Sequence, residues 1–215
     1  MLIHLLPILL VGAASISIIL ERSYNLYKKY AINHALFLSE LKQKILSNDI
    51  PGALQVCASN DSALSVKVAK AGLMRASRDN KQIQAAVEIM AHDCISLVRK
   101  RVAYLAMLAN VATLFGLLGT IAGLIKSFAA VANVDAATKS ILLSEGISTS
   151  MNSTAAGLAV AIPTMIAFSV LQSRSNRLTE NIESCAMVTY DLLTERMYRD
   201  EWEEEKPSLQ LVKSA

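Results

Sequence analysis

Three stretches of this chain, Leu2–Leu20, Val102–Ile125 and Gly146–Ser173, approach or exceed the roughly 20 apolar residues that a helix needs to cross about 30 Å of hydrocarbon. Inside a bilayer the backbone must satisfy its own hydrogen bonds, so stretches of this length are expected to be helices. The third carries no charge between Glu145 and Arg174, and neither it nor the second contains a carboxylate. A chain that is 53% hydrophobic and only 5% aromatic, with mean hydropathy +0.39, is too apolar for an ordinary soluble domain of this length.

The first stretch reads as an uncleaved anchor. A secretory signal carries positive charge ahead of its apolar run, whereas here Glu21, Arg22, Lys28 and Lys29 follow it. Lys and Arg near span ends stay on the cytoplasmic side. Residues 21–101 carry thirteen of them, the segment after Ser173 carries six, and only Lys126 and Lys139 fall between the second and third spans. The expected topology has the N-terminus and first helix at 1–20, with the N-terminus periplasmic, and a cytoplasmic helical region at 21–101. A second span at 102–132, a periplasmic turn at 133–140, a third span at 141–173 and a cytoplasmic helical extension and tail at 174–215 complete it. The fold class is therefore an all-α membrane protein with three transmembrane helices and long cytoplasmic helical extensions, read as one all-helical unit with no separate soluble domain.

The net charge of +3 is accounted for by this topology, and no aromatic interleaving points to nucleic acid. Cys57, Cys94 and Cys185 are odd in number and far apart along the chain, so neither a disulfide framework nor a metal site is indicated. Within 21–101 the first helix is expected to continue over 22–47 and to end at Ser47-Asn48-Asp49 and Pro51-Gly52. Short helices over 51–58 and 62–77 follow, with Asn60-Asp61 as a cap between them. From Asn80 nothing interrupts the helical pattern, which predicts one helix over 80–132.

On a helical wheel Gly116, Thr120, Gly123 and Ser127 share one face of the second span. On the third, Gly146, Ser150, Thr154, Gly157 and Ala161 fall near one line, with Ser148, Thr149, Asn152 and Ser153 widening the polar band. Small residues let membrane helices approach closely, and Ser or Thr hydroxyls bond back to their own helix; Gly116, Gly123, Gly146 and Gly157 are the packing positions. The number of polar groups favours a cavity or a partner, because unsatisfied polar groups are expensive in lipid. Thr120, Thr154, Thr149, Ser150, Asn152 and Ser153 are the candidate ion pathway. Asn152 is the strongest case, since an amide facing lipid lacks partners. Glu145 and Lys126, near the outer ends of the third and second spans, both read as reaching the interface, and Glu145, one turn above Thr149, could also mark an entrance. Pro163 is expected to kink the third helix and free the Ala159 carbonyl. His4 reads as interfacial, and His34 and His92 lack a ligand set. No catalytic triad, metal-ligand set or phosphate loop is present, and the glycines at 116, 119 and 123 sit inside an apolar helix. The chain reads as a non-enzyme without a cofactor.

The run LFGLLGTIAGL over 114–124, then Ser127-Phe128, and later Gly146-Ile147 through TAAGLAVAIP over 154–163 resemble the MotA/TolQ/ExbB proton channel family, specifically over about 105–175. The resemblance implies a pentameric ring around two copies of a single-span ExbD/TolR/MotB-like partner, whose Asp carries the ion, in the bacterial inner membrane. It implies that Thr120 and Thr154 are pore threonines that meet this Asp. Many TolQ and ExbB sequences carry Glu where this chain has Thr149. H⁺ is the expected ion, and a hydroxyl-rich site also suits Na⁺. The cytoplasmic insert is shorter than that of a flagellar MotA, which favours a TolQ/ExbB-like motor subunit. The competing reading is a scaffolding membrane protein that conducts no ion.

Overall fold

The computed structural model describes residues 2–30, 32–132 and 134–213, with side chains described over 6–199 except 31, 133, 136 and 137, and at Trp202. The side chain of His4 lies outside this set, as does Asn133 in the expected turn. All regular elements among the described residues are helical. They are α1 (Leu2–Tyr24), a π-helical turn (Asn25–Lys29), α2 (His34–Leu46), α3 (Ile50–Ser59), α4 (Leu64–Leu73), α5 (Asn80–Arg99), α6 (Val102–Ala130) and α7 (Ala136–Lys213). Three helical stretches, Leu6–Leu46, Asn80–Ala130 and Thr138–Arg199, are long and apolar enough to cross a membrane.

The single unit read from sequence is in fact two compact ones. One comprises Met1–Tyr24 and Lys100–Ser173; the other comprises Asn25–Arg99 and Arg174–Ala215. In the first, α1 packs along α6, and the small core is Ala109, Ala112 and Ala161, with Val11 and Val160 against it. Leu9, Leu10, Ile16, Leu114, Leu118, Ile162 and Ile166 are exposed. A soluble protein rarely shows so much apolar surface, and lipid is its natural solvent. At one end Glu21 takes a hydrogen bond from Arg101 Nη1 at 2.6 Å and lies 3.7 Å from the buried Arg22 guanidinium.

Two expected continuous helices are broken. The continuation over 22–47 passes into the π turn, then restarts at α2, where Asn33 Oδ1 accepts from the Leu36 N–H. The helix expected over 80–132 stops at Arg99 and restarts at Val102, with Arg101 left-handed at φ 64°. No glycine or proline marks this break, so local chemistry gives no sign of it. Asn60-Asp61 does not cap α4, whose N-cap is Ala63 without a side-chain bond; Asp61 instead pairs with Lys70 at 3.1 Å. The expected 133–140 turn is shorter, because α7 begins at Ala136, with Asp135 Oδ2 accepting from the Thr138 N–H and hydroxyl. The segment read as a tail is included in α7 as far as Lys213.

The second unit has a conventional core of Leu41, Ile45, Val66, Val68, Ile83, Val98, Ile182 and Leu193. Gly72 stands where α4 meets α5 and α7: a Cβ there would come within 2.9 Å of Val87 Cγ2 and 3.0 Å of Thr189 Cγ2. Asp49, read from sequence only as part of the end of the preceding helix, is the N-cap of α3 and accepts from the Gly52 N–H at 2.8 Å. The three cysteines, distant in sequence, are all buried in this unit and free. Cys94 Sγ donates to Leu64 O at 3.6 Å and Cys185 Sγ to Ser65 O at 3.2 Å. Burial pushes the Cys57 thiol up to about 11 and that of Cys185 up to about 12, and raises Cys94. Since the thiolate is the nucleophile, a maleimide should leave all three unmodified at neutral pH and label all three once the chain is unfolded. Prompt labelling of the folded protein, read by intact mass, would contradict this packing.

Candidate functional site

The small-residue faces of α6 and α7 meet in one seam. Gly116 sits against Gly157, so that a Cβ on Gly157 would lie 2.7 Å from Ala112 O and 2.9 Å from Gly116 Cα. Further along, a Cβ on Gly123 would lie 2.8 Å from Ser150 Cβ, and one on Gly146 would lie 2.6 Å from Ser127 Cβ. Residue numbers rise on one helix as they fall on the other, so the two run antiparallel. Every contact sets a glycine against a small partner, the arrangement that lets membrane helices touch through backbone atoms.

Between the Gly116–Gly157 and Gly123–Ser150 contacts, Thr120 Oγ1 and Thr154 Oγ1 form a short hydrogen bond. Thr120 Oγ1 also reaches Gly116 O at 3.2 Å and Ser150 O at 3.3 Å, and Thr154 Oγ1 reaches Gly116 O at 3.3 Å. Three neighbouring hydroxyls bond back to their own helix: Ser127 to Gly123 O at 2.9 Å, Ser150 to Gly146 O at 2.7 Å and Thr113 to Ala109 O at 3.1 Å. The two threonines therefore stand apart in bonding across the seam. Each hydroxyl offers one proton and two lone pairs. With two protons shared among two hydroxyls and two carbonyls, the pair can turn either a donor or an acceptor toward a third group. Both side chains are half-buried, so each keeps some exposed surface.

The polar band read from sequence divides. Ser150 and Ser153 are buried in the seam, whereas Thr149, Asn152 and Glu145 are exposed. Thr149 and Glu145 join Ser127, Ser150, Ser153 and Lys126 in lining a groove of about 340 Å³ between the two helices. Glu145 and Lys126 thus border one depression, a juxtaposition that separate readings of each as an interfacial residue did not give. Asn152 is not among the groove's lining residues. Pro163 is exposed and α7 is unbroken through it; next to it, the Thr164 hydroxyl donates to Val160 O at 2.7 Å. Ala112, whose carbonyl limits position 157, was missed from the sequence stripe, although it lies one turn before Gly116 on the same face. Among the described residues no cluster of His, Cys, Asp or Glu is arranged to hold a metal ion.

A family model described as the MotA/TolQ/ExbB proton channel family matches residues 60–184, which include α6 and the part of α7 that forms the seam. No curated protein matches the chain.

Proposed function

This chain belongs to the MotA/TolQ/ExbB proton channel family, and from that premise we propose that it is the pore-forming subunit of a proton-driven motor in the bacterial inner membrane. In this reading five copies surround two copies of a single-span ExbD/TolR/MotB-like protein. The observation that carries the proposal is the Thr120–Thr154 pair bonded across the seam, within apolar stretches, 102–125 and 146–173, that hold no carboxylate of their own. A threonine hydroxyl stores no proton near neutral pH, so the titrating group comes from the partner's Asp. The pair accepts from that carboxyl when it is protonated and donates to it when it is ionised. Entering ions follow the groove bordered by Glu145 and Lys126, past Thr149, Ser150 and Ser153. Each charge crossing 100 mV releases about 2.3 kcal/mol, and this drives the motion of ring and partner relative to each other. A Na⁺ ion could use the same oxygens.

The back-bonded Ser127 and Ser150 favour a second reading, a scaffold in which the seam only packs helices. Native mass spectrometry of the chain co-expressed with a single-span protein bearing an Asp near the start of its span separates the two. Five copies with two of the partner is the expected result. A discrete oligomer that retains no such partner would move the assignment to the scaffold.

A further inference from the structure

Two grooves on the second unit take no part in the ion pathway, and both border α5. One, of about 350 Å³ between α5 and α7, carries the carboxylates of Glu88 and Glu183 with no lysine or arginine in its lining. The other, of about 490 Å³ between α4 and α5, carries Lys67, Lys70 and Arg75 against the single carboxylate of Asp61. At 3.6 residues per turn, Glu88 and Ile95 of the acidic groove and Ala86 and Met90 of the basic one fall on opposite sides of α5. Each groove also presents a methionine: Met187 in the acidic one is 72% exposed and Met74 in the basic one 70%, the two most exposed large apolar side chains among the described residues.

We propose that the basic face around Met74 of one copy docks on the acidic groove beside Met187 of the next copy, which makes a head-to-tail contact in the ring. The proposal rests on the oligomeric reading above and assigns the surfaces that join neighbours in this unit. Charge decides the geometry. A two-fold contact would set one groove against its own copy, carboxylate on carboxylate or cation on cation, whereas a head-to-tail contact pairs opposite signs. Because the two surfaces lie on opposite sides of one helix, the same contact can repeat from copy to copy, and it closes a ring when the rotation between copies returns to the first. Methionine is suited to the centre of such a contact, since its flexible thioether adapts to an irregular surface.

The test uses the full chain with Met74→Cys and Met187→Cys, singly and together, treated with a short bismaleimide; the native thiols are buried. The double variant should give a ladder of covalent multimers and each single variant none. The ladder should disappear when Glu88→Lys and Glu183→Lys are added, and should return when Lys67→Glu and Lys70→Glu are added to those, because the signs are then exchanged. Covalent dimers from one single variant would overturn the proposal in favour of a two-fold contact. An intact ring by native mass spectrometry without a ladder would also overturn it, and would leave the grooves to a different protein. A monomeric chain would overturn this proposal together with the ring itself.

Discussion

Replacing Thr154 by valine is expected to lower proton flux through the reconstituted complex by about ten- to a hundredfold while leaving oligomer yield unchanged. A hydrogen bond to a charged group is worth roughly 1.5–3 kcal/mol, and each 1.36 kcal/mol in a barrier is about tenfold in rate. Valine keeps the branched shape of threonine and removes only the hydroxyl that meets Thr120 and Gly116 O. Hydrogen bonds between membrane helices average only about 0.6 kcal/mol, and Thr120 keeps its approaches to Gly116 O and Ser150 O. Packing should therefore survive. Thr154→Ser, which restores a hydroxyl, should recover most of the flux. The assay is dye-reported acidification of vesicles with and without a membrane potential. Normal flux in Thr154→Val would remove the pair from the mechanism, and a parallel fall in oligomer yield would favour the scaffold reading.

Gly157→Ala should act differently, by opening the seam. Its new methyl would sit 2.7 Å from Ala112 O and 2.9 Å from Gly116 Cα. Both are backbone atoms of α6, so no side-chain rotation relieves the clash and the helices must separate. Overpacking of this kind costs about 1–3 kcal/mol. The thermal midpoint in detergent should fall, and flux should fall with it, because the Thr120–Thr154 bond depends on the same approach. Gly12→Ala is the control. A Cβ there meets only Val160 methyls, at 3.4 and 3.5 Å, which is ordinary contact, so its midpoint should not fall, and the better helix propensity of alanine should raise stability by about 0.5–1 kcal/mol. Equal midpoints for the two variants would show that the backbone contact at Gly157 is not tight.

Several features that bear on this mechanism were legible along the chain. The three apolar stretches, the small-residue faces and the absence of carboxylates from the second and third of those stretches need no tertiary information. They follow from which residues occur and at what interval, and a helix converts interval into face. The restart of the helix at His34 after the π turn and the break at Arg101 were not legible. A left-handed arginine is held by the structure on either side of it and has no sequence signature such as glycine. The bundling of Cys57, Cys94 and Cys185 into one core was hidden for the same reason, since the helices that carry them are far apart in the chain.

Composition and helical period alone set the solvent each helix prefers, the faces that can approach closely and the lack of an acid inside the apolar stretches of α6 and α7. Packing in three dimensions set Thr120 against Thr154, 34 residues away. It also decided that Ser150 and Ser153 turn into the seam while Thr149 and Asn152 turn out, and that Glu145 and Lys126 border one groove. The physical reason is axial register. A stripe of small residues allows two helices to slide past one another at similar cost until specific backbone contacts, here Gly116 against Gly157, lock a single offset, and that offset selects which hydroxyls face each other.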